Sequence, residues 1–109
     1  KTNRRTGCSE KNIVKAAKEF GFKGYVKQKS TITELKRLVK KNIPVIVDWF
    51  SPEEAGHYSV VVGFKNDEIL LADPHFGKIK NHKIKWFKER WFDVVDGKLI
   101  LREIIVIHQ

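Results

Sequence analysis

Val45-Ile46-Val47-Asp48-Trp49-Phe50 and His57-Tyr58-Ser59-Val60-Val61-Val62-Gly63-Phe64, separated by Ser51 to Gly56, are the stretches that decide the fold. Both are continuous runs of β-branched and aromatic residues, the composition of buried strands. Asn66-Asp67 turns the second run into a third, Ile69-Leu70-Leu71-Ala72. Toward the C-terminus, Asp73 to Gly77 reads as a turn, and a short helix carries Ile84, Phe87 and Trp91 on one face. Asp96-Gly97 then predicts a hairpin between Val94-Val95 and one long closing strand, Leu99 to Ile107. Toward the N-terminus, Asn42 and Pro44 end a helix begun by the capping box Thr31-Ile32-Thr33-Glu34, with Leu35, Leu38 and Val39 on one face. Gly24 to Lys27 reads as a short strand. Before it, Ser9 caps a helix whose apolar face is Ile13, Ala16, Ala17 and Phe20, stopped by Gly21. Residues 1–7 read as an exposed lead-in. Helices first and an antiparallel meander after make an α+β domain.

Composition narrows the function classes. At 109 residues the chain is one domain, and 11% aromatic content argues against disorder. No apolar run approaches the roughly 20 residues of a membrane-spanning helix, and no signal-peptide pattern opens the chain. The single Cys8 excludes an internal disulfide, so a cytoplasmic location is the expectation. Because Lys1-Thr2 is not a start from which Met is ordinarily removed, the chain is expected to be a piece of a longer protein. The net charge of +9 is lopsided: residues 1–41 hold 13 basic and 3 acidic side chains, residues 42–109 hold 9 and 10. A basic face of that kind admits nucleic acid as a partner. Seventeen of the 22 cations are Lys, however, which fits a solvated Lys-rich surface instead. Nucleic acid is therefore not the expected partner.

Three residues are candidates for chemistry. His57 opens a buried strand and Asp73 ends a following one, so a hairpin brings their ends together. An Asp accepting the Nδ1 proton of a His fixes its tautomer and leaves Nε2 as a general base. The structural alternative is a turn-capping Asp before Pro74 and a His satisfied within a strand. Cys8 lies at an expected helix start near Arg4 and Arg5, a setting that favours thiolate. His75, His82 and His108 form no metal spacing with Cys8, and neither a metal nor an organic cofactor is expected. Trp49, Phe50, Trp86, Phe87, Trp91 and Phe92 have the periodicity of core packing. Glu53 and Glu54 read as a solvated loop.

Six segments together resemble one family. They are Cys8 to Phe22, Thr31 to Leu38, Ile43 to Trp49, Gly56-His57-Tyr58-Ser59-Val60-Val61-Val62-Gly63, Ala72-Asp73-Pro74-His75-Phe76-Gly77 and Phe87 to Phe92. The family is the papain-like, bacteriocin-processing cysteine peptidases and their stand-alone relatives, and the resemblance covers roughly residues 6–94. It implies a papain-like fold in which N-terminal helices pack on an antiparallel sheet, a peptide or protein substrate, His57 as base and Asp73 as its orienter. Exporter-borne members cut leader peptides after a Gly-Gly pair. The family's nucleophile lies in a Cys-Gly helix further upstream, preceded by an oxyanion-hole Gln. Gly7-Cys8-Ser9 matches a later helix, where the family has Gly-Thr-Ser. Cys8 thus stands at a Thr position, and the single domain 1–109 is expected to lack its nucleophile helix. Two functions follow as expectations: a cysteine-peptidase-like domain hydrolysing peptides, or a non-catalytic peptide-binding module of the same fold.

Overall fold

The computed structural model describes residues 10–52, 55–72 and 78–108. Its elements run α1 (Glu10–Glu19), β1 (Lys23–Lys27), α2 (Ile32–Lys40), β2 (Val45–Ser51), β3 (Ala55–Lys65), β4 (Glu68–Ala72), β5 (Ile79–Lys83), α3 (Ile84–Arg90), β6 (Phe92–Val95), β7 (Lys98–Leu101) and β8 (Glu103–His108). Six strands form one antiparallel sheet in the order β1-β8-β2-β3-β4-β5, and β6 pairs with β7 in a separate ribbon. This is the expected α+β architecture. The core lies on one sheet face, where Val45, Val47 and Trp49 of β2 meet Leu35 and Leu38 of α2 and Phe87 of α3. On the other face the ribbon leans against the sheet, with Phe50 stacked on Phe92 at a centroid distance of 5.1 Å. No helix of the described residues is long and apolar enough to cross a membrane.

Local chemistry accounts for α2. The Thr31 hydroxyl accepts from the Glu34 amide at 3.1 Å, satisfying one orphan donor of the first turn. The Glu34 carboxylate turns outward to Ser30 Oγ (2.8 Å) and Lys27 Nζ (2.9 Å), tying β1 to the start of α2. At the other end Asn42 takes a left-handed conformation (φ 61°). Its amide bonds the Val39 carbonyl, and the Ile43 amide bonds that of Leu38. That is a Schellman closure with Asn in place of Gly.

Four features depart from the sequence reading. The long closing strand is two, because Arg102 adopts a left-handed conformation (φ 45°) between β7 and β8. There its amide donates to the Trp91 carbonyl (3.0 Å) and its Nε to the Ser30 carbonyl (2.9 Å). The break sends β8 back between β1 and β2, so the sheet is not a simple meander. The second departure is β5, a strand made of Ile79-Lys80-Asn81-His82-Lys83 in a segment that showed no apolar alternation. Third, β3 starts at Ala55 rather than His57, and a bulge between Val61 and Gly63 leaves Val62 44% exposed. Fourth, Phe20 is 82% exposed and Ala16 is exposed, so these two members of the expected apolar face of α1 do not face the sheet. That helix approaches the sheet through Val14 instead, whose Cγ1 would stand 3.4 Å from a Cβ at Gly24. A Cβ at Gly24 would press harder on β8, standing 3.2 Å from both the Val106 carbonyl oxygen and Ile107 Cδ1. The predicted cap Ser9, and the loop residues Glu53 and Glu54, lie outside the described residues.

Candidate functional site

Alternation along the central strands puts His57, Ser59 and Val61 of β3 on the same face as Trp49 and Ser51 of β2. Trp49 and His57 are directly opposed partners across the ladder. Beyond β4, the register pairs Leu71 with Lys80 and Ile69 with His82, so the even positions of β5 share that face too. These strands and Trp86 of α3 enclose a cavity of about 220 Å³ where the apolar core ends. His57, Ser59 and Ser51 form one side of it, and Lys78, Lys80 and His82 the other.

Trp49 organises the floor. It is 6% exposed, and its indole N–H donates to the buried Ser59 hydroxyl at 3.0 Å. Its ring meets the His57 imidazole edge-on (5.8 Å, 89°), Trp86 at 5.8 Å and Phe87 at 6.0 Å. These offset and edge contacts suit the quadrupoles of the rings. His57 is half-buried, with one side against the indole and the other lining the cavity. An imidazole so held has a fixed ring plane and solvent within reach, the requirements of a proton-transferring side chain.

A second histidine stands opposite. His82 stacks on Trp86 (4.5 Å, 12°) and also contacts Trp49 at 5.6 Å. The Arg90 guanidinium lies 4.2 Å from the Trp86 ring, within cation–π range, and its Nη1 donates to the Trp86 carbonyl. Burial pushes the His82 pKa below the usual histidine value, and the neighbouring Lys80 charge pushes it further down. His82 is accordingly neutral at pH 7. Among the described residues no group of His, Cys, Asp and Glu is placed to hold a metal ion.

Of the three residues singled out from sequence, His57 lines this cavity. Asp73 follows Ala72, the last residue of β4, which pairs with Val60 three positions from His57. Asp73 itself, Cys8 and His75 lie outside the described residues. His82, Lys78 and Lys80 belong to the site and were not anticipated. Their signal was a period-two pattern, Lys78-x-Lys80-x-His82, in a segment without strand-forming residues.

Comparison with known proteins bears on the fold and the family. The chain is similar to the peptidase domain of Streptococcus ComA, described as a bi-functional ABC transporter involved in a quorum sensing pathway. The identity is 25%, the TM-score 0.62, and the match covers 88% of this chain and 63% of that one. It is also similar to the peptidase domain of Streptococcus mutans ComA (25% identity, TM-score 0.62) and to that domain in complex with a small-molecule inhibitor (26%, 0.60). Each of these two matches covers 89% of this chain and 71% of the other. This chain thus spans less than two thirds of the first of these domains. No curated protein gives a significant match. The model of the Peptidase_C39 like family matches residues 1–97, and with a papain-like α+β fold behind it, the chain belongs to that family of peptidase-like domains.

Proposed function

We propose that the domain binds peptides in the cavity beside His57 and that His57 is the general base of a cysteine-peptidase reaction, with Asp73 as its orienter. The observation that carries this reading is the position of His57. In the His-Tyr-Ser-Val motif of a peptidase family, it is half-buried against Trp49 and faces a cavity of peptide side-chain size. In the reaction, a cysteine thiolate attacks the scissile carbonyl carbon and the carbonyl electrons move to oxygen. The His57 imidazolium then protonates the leaving amine as the C–N bond breaks. In the second half, neutral His57 takes a proton from water, which attacks the thioester and releases the acid. Asp73 would accept a hydrogen bond from Nδ1–H throughout, without taking the proton, and keep Nε2 toward the reacting atoms.

Cys8 is the candidate nucleophile that this chain itself offers, and alkylation tests it. The rate of Cys8 modification by iodoacetamide, followed by intact mass against pH, reports its thiolate. An apparent pKa well below about 8.5 that rises in His57→Ala assigns the role to Cys8. An ordinary pKa indifferent to His57 removes Cys8 from it. The peptide reading itself is tested by titrating a leader-type peptide containing a Gly-Gly pair into the labelled domain. It is expected to shift the Trp49 indole N–H and the His57 ring signals, and any cleavage should vanish in His57→Ala. Shifts confined to other surfaces, or cleavage unchanged in His57→Ala, would refute it.

A further inference from the structure

The cavity wall opposite His57 has a charge pattern that catalysis does not require. On β5 the side chains alternate strictly. Asn81 and Lys83 point away from the cavity and are engaged locally: Asn81 donates to Glu68 at 3.2 Å, and Lys83 pairs with Asp67 at 3.0 Å. Lys78, Lys80 and His82 point into it. Among the described residues, neither Lys78 nor Lys80 has a carboxylate partner, and no acidic side chain lines the cavity. Two lysines that neutralised acids elsewhere in the fold would resemble Lys83. These two are exposed and line an aromatic-floored cavity.

Building on the peptide reading, we infer that this cavity selects a peptide carboxylate, with Lys78 and Lys80 meeting its charge while the Trp49–Trp86 floor packs its aliphatic stem. The carboxylate is that of an Asp or Glu side chain or of a free C-terminus. Both present the same planar anion to two ammonium groups, and a short stem suits the roughly 220 Å³ available. The lysines are exposed, so each contributes modestly, and discrimination between Glu and isosteric Gln is expected to be about five-fold in Kd at low salt.

Four otherwise identical alanine-rich decapeptides test this by titration against the 109-residue chain. Two are amidated at the C-terminus and carry a central Glu or Gln, the third is all-alanine with a free carboxylate, and a fourth, amidated peptide with a central Lys serves the charge-reversed variant. The Glu peptide should bind about five-fold more tightly than the Gln peptide and shift the Trp86 and Trp49 indole signals. In Lys78→Glu/Lys80→Glu the preference should invert, favouring a central Lys over Glu. In Lys15→Glu/Lys18→Glu, which makes the same change in net charge on α1, it should persist. If the all-alanine acid shifts the same indoles and loses this in Lys78→Glu/Lys80→Glu, the carboxylate recognised is the terminal one. Equal binding of the Glu and Gln peptides, together with an all-alanine acid that leaves the Trp86 and Trp49 indoles unmoved, overturns the inference while leaving peptide binding intact. A preference altered as much by the α1 pair as by the β5 pair also overturns it, as a net-charge effect. Binding of none of the peptides removes the peptide reading and this inference together.

Discussion

Removing a single hydroxyl, in Ser59→Ala, should cost far more than the size of the change suggests. Ser59 is 3% exposed, and its Oγ receives the indole N–H of Trp49 at 3.0 Å at the floor of the cavity. Alanine fits the space with no clash, so the cost is that of a buried donor left without an acceptor, about 1–3 kcal/mol. For a domain of this size each kcal/mol corresponds to about 4 °C of melting temperature, so the midpoint should fall by about 4–12 °C. The denaturant slope should not change, because the surface exposed on unfolding is the same. Trp49→Phe deletes the donor as well as part of the ring, and should cost about 1–3 kcal/mol by itself through lost packing.

The two changes are not independent. Once Trp49 is Phe, Ser59→Ala no longer strands a donor and should cost little, so the double variant should be more stable than the sum of singles predicts by about 1 kcal/mol or more. Urea unfolding followed by tryptophan fluorescence and circular dichroism measures all four corners. Strict additivity, or a Ser59→Ala effect below about 0.5 kcal/mol, would show that the indole N–H is satisfied some other way. The organising role given to Trp49 would then fail. Because the same indole fixes one side of His57 at 5.8 Å, Ser59→Ala should also broaden or shift the His57 ring signals.

Other perturbations address separate parts of the molecule. His82 has a lowered pKa in the fold, so the unfolded chain binds its proton more readily; stability is full above about pH 6.5 and falls as the pH drops below it toward the folded value. Melting temperature against pH should show this acid-side loss, and His82→Phe should flatten that part of the curve. Glu34 is held below its usual pKa first by the Lys27 ammonium, and its stabilisation is present above about pH 4.5 and lost on further acidification; Lys27→Gln should weaken that dependence. Thr31→Ala removes the cap of α2 and should destabilise by about 1 kcal/mol in chemical denaturation. At Arg102 (φ 45°), Arg102→Gly and Arg102→Ala lose the same bond to the Ser30 carbonyl, but glycine tolerates the left-handed backbone. Arg102→Gly should therefore be more stable than Arg102→Ala by about 1 kcal/mol; the reverse order would mean that the turn relaxes.

What the sequence made legible, and what it hid, divide along a physical line. β2, β3 and α2 were readable because their signals are local: runs of β-branched residues, and a Thr–Glu spacing that caps its own helix whatever surrounds it. His57 was readable for the same reason, lying at the head of such a run. The bend at Arg102 was not, because the charged pair Arg102-Glu103 has no turn chemistry of its own and the turn is held by carbonyls of Ser30 and Trp91, distant in sequence. Phe20 misled for the complementary reason, since helical spacing specifies a face but not which face a sheet will cover. β5 is the consequential omission. An edge strand with one partner has no second neighbour to demand apolar residues, so Lys80, Asn81 and Lys83 are tolerated there and erase the usual alternation. The edge that hides a strand from composition also frees inward side chains such as Lys80 from packing duty, while His82 stacks on Trp86. Lys78 and Lys80 are therefore the part of the cavity wall most able to vary with the peptide being bound, while Trp49, Ser59 and His82 are held by their neighbours. Within such a family, differences in what is recognised should track the positions of Lys78 and Lys80, and differences in stability should track the ladder between β2 and β3.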